Sequence, residues 1–292
     1  MNQLRKEFEQ WLIEDGKSPK TIESYSGDLK SFQQFLTDQA ADESQPLSRF
    51  AFVKYKEFMM DGSYAIATMN KKINSLKVYH DFLIEKGVIS SPFLSLKRDR
   101  VKVAAGSEHE VTALSDKEVN QLLFYVNGPS NVSARDRLIV YLLLFTGIRV
   151  SECIQIKRSD IDPLTSTLKV NGKGGKIREI SLRVDVLSLI RIYEQGERAS
   201  SKFKESDILL LSQRQGKMHR DAIRVMLAKI GEELGFHLHP HLLRHTFGTR
   251  LIRRGVDLTT VSKLLGHSSV VTSAKFYVQI SKLDKKLAVD LL

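Results

Sequence analysis

The apolar positions of the first hundred residues recur with a helical period. In "KSPKTIESYSGDLKSFQQFL" (17–36), Tyr25, Leu29, Phe32 and Leu36 stand at i, i+4, i+7 and i+11, which places them on one helix face. Ser18 followed by Pro19 supplies an N-cap and a first-turn residue. A second helix is predicted over roughly 48–60 and a third from Ala67 to the stop at Gly87, with Met69, Ile73, Leu76 and Leu83 inward. Lys71, Lys72 and Lys77 fall mostly off that stripe, so the predicted four-helix bundle carries one basic side. That side is either a solvated face or a nucleic-acid face. The periodicity fails at "LKRDRVKVAAGSEHE" (96–110), which reads as a linker. It resumes at "ALSDKEVNQLLFYV", where Ser115 and Glu118 have capping-box spacing. The chain is therefore expected to divide near 105–110, into a helical domain of 1–105 and a second domain of 106–292.

The second part is mainly helical with one strand signal. The continuous apolar run Leu138–Phe145 predicts a buried helix. "STLKV" (166–170) alternates, "NGKGGK" (171–176) is a turn, and "IREISL" (177–182) alternates again. This is a predicted β-hairpin with a glycine-rich tip that carries Lys173 and Lys176. In "KMHRDAIRVMLAKIG", Ile223, Leu227 and Ile230 share one face, and Lys217, Arg220 and Arg224 stand at i, i+3 and i+7 on another. The expected fold class is mainly α: a helical bundle followed by a mixed domain, mostly α with a small antiparallel sheet.

Composition narrows the classes. A chain of 292 residues with 42% hydrophobic and 27% charged residues can bury sizeable cores. One cysteine excludes an internal disulfide and fits a reducing cytoplasm. The N-terminus carries no secretory h-region, and the longest apolar run is far short of a membrane span. The net charge of +11 is unevenly placed. Residues 1–105 contribute 16 Lys+Arg against 14 Asp+Glu, and residues 106–292 contribute 29 against 20. The excess in the second part points to a polyanion partner.

The densest ionisable cluster is "HLHPHLLRHTFGTR" (237–250). A zinc-protease reading of His241 and His245 fails, because Leu242 stands where the general-base Glu is needed. His241 and Arg244 share a helix face if this segment is helical, and a guanidinium fork beside an imidazole suits a phosphate. In "TGIRVSE" (146–152), Arg149 follows a buried helix and a glycine, so it needs an anionic partner. Glu152 is either that partner in a purely structural pair or the group that orients Arg149 toward a ligand. Cys153 is expected to pack as a small apolar side chain. His267 follows a helix stop at Gly266. Alone, it and Tyr277 would read as structural.

In order, Arg149, Lys173, His241 with Arg244, His267 and Tyr277 resemble the tyrosine recombinase family, the phage-integrase and Xer-type enzymes. The motifs are "TGIRVSE", "GKGGKIREI", "HPHLLRHTFGT" and "LLGHSSVVTSAKFY", and the likeness spans essentially the whole chain. The resemblance implies a helical, SAM-like core-binding domain and a catalytic domain that clamp duplex DNA. It implies Tyr277 as nucleophile in a 3′-phosphotyrosine intermediate, with Arg149, Arg244 and His267 on the phosphate. Lys173 would protonate the leaving oxygen, His241 would assist proton transfer, and Glu152 would brace Arg149. Lys71, Lys72, Lys77, Lys176, Lys217, Arg220 and Arg224 become the expected DNA contacts. The mechanism implies no cofactor, metal or ATP. It implies a homotetramer that synapses two inverted-repeat sites, with Ile280, Leu283, Leu287 and Leu291 forming a terminal docking stripe. The layout leaves no room for an arm-binding domain before the helical one, so a two-domain recombinase is expected.

One spacing departs from the family, in which the tyrosine lies nine residues after the His of "LGH". Here Phe276 holds that position and Tyr277 follows it. This implies a one-residue insertion. The alternative is a catalytically inactive DNA-binding relative. The unusual loop points to a mobile-element enzyme.

Overall fold

The computed structural model describes residues 2–39, 46–102, 113–128, 132–172 and 175–266. The chain divides into two compact units, Met1–Glu108 and His109–Leu292. Each has its own hydrophobic core.

The first unit is built from α1 (Asn2–Glu14), α2 (Pro19–Asp38), α3 (Arg49–Asp61) and α4 (Ile66–Glu85), followed by the short α5 (Leu96–Asp99). Ser18 caps α2, accepting from the Thr21 amide, with Pro19 in the first turn. Ser48 caps α3 in the same way, accepting from the Ala51 amide. Leu29, Phe32 and Leu36 of the predicted α2 stripe are buried, and so are Met69, Ile73, Leu76 and Leu83 of α4. Tyr25 is half-buried at the edge of that core. The segment expected to be a linker from residue 96 onward is ordered as far as it is described. Asp99 is buried and accepts from Arg49 at 2.7 Å and from the Ser95 amide at 2.9 Å. Asn70 of α4 exchanges two 2.9 Å hydrogen bonds with the Val101 backbone. These polar ties have no periodic signature, which is why the apolar pattern missed them.

The second unit opens with α6 (Asp116–Asn127), whose Ser115–Glu118 capping box forms as expected. The Leu114 amide donates to Thr246 at 2.9 Å and ties this entry to a later helix. The central helix α7 (Ala134–Thr146) is buried on all sides from Leu138 to Leu144. It ends at Gly147, which adopts φ +62°; a Cβ there would stand 2.4 Å from the Phe247 ring, so only glycine fits. After α8 (Val150–Cys153) come three antiparallel strands in the order β1 (Ile161–Asp162), β2 (Thr167–Asn171), β3 (Ile177–Ser181). β2 and β3 are the predicted hairpin. The two-residue β1 was not predicted, being too short to show alternation.

Beyond the sheet, α9 (Val184–Tyr193) and α11 (Pro240–Arg253) pack against α7, and α10 (Arg220–Leu234) packs against α8 and α11. α12 (Leu258–Leu265) packs on α11, and Val261 and Leu265 are buried against Phe247 and Leu251. α10 begins at Arg220, because His219 is extended and its Nδ1 accepts from the Asp221 amide at 3.4 Å. Lys217 therefore precedes the helix and does not share a helical face with Arg220 and Arg224. No helix among the described residues is long and apolar enough to cross a membrane.

Candidate active site

The C-terminal end of α12 leaves backbone carbonyls without partners inside the helix. Three consecutive ones are taken by three arginines from three different elements. Arg178 of β3 donates to the Leu264 carbonyl at 3.1 Å, Arg244 of α11 to Leu265 at 2.6 Å, and Arg149 before α8 to Gly266 at 3.0 Å. Arg244 also donates to the Gly147 carbonyl at 2.5 Å, which joins the end of α7 to the same point.

Glu152 is buried against two of these arginines. Oε1 accepts from Arg149 at 2.9 Å and from Arg178 at 3.0 Å. Oε2 accepts from Arg178 at 2.8 Å and from the Arg149 backbone amide at 2.7 Å. Burial by itself raises the pKa of such a carboxyl. The Arg178 hydrogen bonds, then the Arg149 amide and side chain, outweigh it and hold Glu152 below the ordinary carboxylate range. Two guanidiniums on one carboxylate leave a net positive site. Glu152 pairs with Arg149 through both its guanidinium and its backbone amide. Arg149 remains about a third exposed, with a side-chain accessibility of 34%, and so is available to a ligand.

α11 brings the histidines to this site. Pro240 stands in its first turn, and His239 caps it, Nδ1 accepting from the Leu242 amide at 3.3 Å. His241 and Arg244 lie on the helix with the predicted spacing. His241 keeps a solvent-facing edge while its other side is covered. That covering, then the charges of Arg244, Arg224 and Arg149, lower its pKa below the ordinary imidazole value. His245, one turn on, lies with its ring 6.5 Å from that of His241 and titrates at about 4, mainly through burial and then the neighbouring His241 and Arg244. Cys153 is buried as expected, with its thiol pushed up to about 12 by burial and then by Glu152. Among the described residues no cluster of three or more His, Cys, Asp or Glu could hold a metal ion.

The second half of the chain, residues 112–283, matches the model of the phage integrase family, and residues 6–87 match the phage integrase N-terminal SAM-like domain. The chain belongs to the phage integrase family, as an Xer-like tyrosine recombinase. It is 33% identical over 288 residues to the tyrosine recombinase XerC of Listeria innocua, covering 96% of this chain and 94% of that one. The XerC of Halalkalibacterium halodurans is 32% identical over 279 residues, covering 92% and 90%. The solved XerH site-specific recombinase bound to its palindromic difH substrate superposes with a TM-score of 0.77 at 25% identity, over 92% of this chain and 79% of that one.

Within the recombinase fold, the sequence-derived residues divide into three groups. Arg149, Glu152 and Arg244 come together around the end of α12, and His241 stands one turn before Arg244 on α11. Lys173, His267 and Tyr277 lie outside the described residues, as do Ile280, Leu283, Leu287 and Leu291. The basic residues are differently engaged. Lys71 donates to the buried Asp28 at 2.9 Å, and Lys72, 13% exposed, lies 3.6 Å from the same carboxylate. Lys77 pairs with Asp81 one turn on. Arg224 donates to Asp221 at 2.8 Å, and the Arg220 Nε lies 3.9 Å from Asp221. Lys176 and Lys217 are exposed.

Sequence reasoning missed Arg178. Its signal was present in the hairpin register: Leu168 pairs with Ile180 and Val170 with Arg178, so Arg178 lies on the same inward face as three apolar residues. An arginine at an inward strand position demands a buried anion, and Glu152 is that anion.

Proposed function

We propose that this recombinase cleaves and rejoins duplex DNA at a specific site through a covalent 3′-phosphotyrosyl intermediate formed by Tyr277. The reading is supported by Arg149 and Arg244, which hold the Gly266 and Leu265 carbonyls directly before His267 and the segment that leads to Tyr277, with His241 one turn before Arg244 on α11. Arg149 and Arg244 bind the non-bridging oxygens and stabilise the charge that develops there. The Tyr277 oxygen attacks phosphorus and gives up its proton, with His241 as acceptor. The bond from phosphorus to the 5′-oxygen breaks, and Lys173 supplies the proton to that oxygen. His267 adds a further donor to the phosphate. The phosphotyrosyl link conserves the phosphodiester energy, so the reverse attack by a 5′-hydroxyl rejoins the strand without ATP.

Lys176, Lys217, Arg220 and Arg224, with Lys71, Lys72 and Lys77 on the first unit, are assigned to the DNA backbone. Four protomers would synapse two inverted-repeat sites and exchange strands in pairs, in the resolution or integration of a mobile element or replicon. The competing reading, an inactive DNA-binding relative, is favoured only by the ten-residue step from His267 to Tyr277. A nicked duplex carrying the site separates the two. The wild type is expected to form a covalent protein–DNA adduct, and Tyr277→Phe is expected to bind without forming it. Binding by the wild type without an adduct would establish the inactive relative instead.

A further inference from the structure

We infer that Arg178 is a positioning residue of the cleavage reaction, acting on the scissile phosphate through Glu152 and Arg149. The inference rests on the recombinase chemistry proposed above. All three nitrogens of the Arg178 guanidinium are committed inside the protein: Nε to the Leu264 carbonyl, Nη1 and Nη2 to the two oxygens of Glu152. Its side chain is only 14% exposed. Three of its five N–H donors are thus engaged inside the protein, and little of the group is open to DNA. Its effect passes to Glu152, which it grips with both prongs of the fork. Glu152 in turn holds the Arg149 side chain and the Arg149 amide. Without Arg178, Glu152 could rotate about its terminal torsion and take Arg149 with it.

The same guanidinium also fixes the end of α12. Gly266 adopts φ +65°, and a Cβ there would stand 2.9 Å from Arg178 Nη1 and 3.2 Å from its Cδ. Arg178 thus lies flat against the last residue before His267, close enough that only a hydrogen fits between them. Along the chain it follows Lys173 by five residues. One side chain therefore links the Arg149 grip, the strand after the hairpin tip and the start of the tyrosine-bearing segment. Among these links the contact to Glu152 is the bidentate, charge-assisted one, so the reaction should feel the loss of Arg178 chiefly as a misaligned Arg149.

The test uses the full chain and two nicked duplexes, one with an ordinary scissile phosphate and one with a methylphosphonate there. The methylphosphonate lacks one anionic oxygen and places less demand on a guanidinium. Arg178→Gln is expected to form adduct on the phosphate roughly 100-fold more slowly than wild type, the scale of a small misplacement of a reacting group. On the methylphosphonate most of that deficit should vanish. Equal losses on both substrates would mark a merely structural role and overturn the proposal, as would an unaltered rate on the phosphate. A fall of about 0.9 in the slope of log affinity against log salt would show that Arg178 itself contacts a phosphate, and would also overturn it. If Arg178→Gln fails to fold, Arg178→Lys, which keeps the charge but not the fork, is read by the same criteria. A wild type that forms no adduct on the phosphate defeats the recombinase chemistry first, and this inference with it.

Discussion

His245 stands one turn after His241 and titrates at about 4, against the ordinary value near 6.5, mainly because burial penalises its charged form. The unfolded chain takes up this proton below about pH 6.5 and the folded chain only below about 4, so acidification across that window favours the unfolded chain. Above the window both states are neutral and the contribution is flat. The loss between pH 7 and pH 4 is on the order of 3 kcal/mol. Urea midpoints measured at both ends should therefore drop for the wild type and drop less for His245→Gln; parallel drops would place the titration elsewhere. The same scale shows what sequence could and could not reveal. Arg149 and Glu152 were legible because a charged residue behind an apolar helix needs a partner and one stood three residues away. Arg178 was not, because its partner lies 26 residues distant and only the strand register brings them together.

Secondary elements were legible where a repeated pattern or a local cap defines them. Ser18, Ser48 and Ser115 cap helices whose starts could be read directly, and the capping box at α6 is complete: Glu118 accepts from the Ser115 amide at 2.8 Å, and Ser115 accepts from the Glu118 amide at 3.2 Å. Ser115→Ala removes one half of the box and should cost about 1 kcal/mol of stability, read as a lower denaturant midpoint with an unchanged slope. A cost near zero would mean that water or the remaining Glu118 contact satisfies the exposed amide equally well. Elements shorter than one pattern repeat were missed. β1 is set by its two-residue pairing with β2, and α5 and the start of α10 by local polar contacts, such as Asp99 with Arg49 and the Ser95 amide or His219 with the Asp221 amide; no periodicity announces them. The same limit misplaced Lys217, which falls outside the helix because the cap lies two residues after it.

At the scale of the whole molecule, formal charge and available charge differ. The first unit's lysines are partly spent on its own carboxylates: Lys71 and Lys72 both face Asp28, whose other oxygen accepts from Ser75 at 2.7 Å. Asp28 is buried, and these contacts engage both of its oxygens. Replacing Lys71 should therefore change the number of counterions released on DNA binding only slightly. Lys217 is exposed in the more basic second part, ahead of the N-terminal end of α10. A side chain in solution that meets a phosphate releases close to one counterion, so Lys217→Gln should reduce the slope of log affinity against log salt by about 0.9. Lys71→Gln should reduce it by clearly less. Titrations of the two variants and the wild type between about 50 and 200 mM salt measure this directly. Equal reductions would show that Asp28 gives up its lysines when DNA binds. The double variant Asp28→Asn/Lys71→Gln separates the two cases: its slope should exceed that of Lys71→Gln alone, because Lys72 is then released to the DNA.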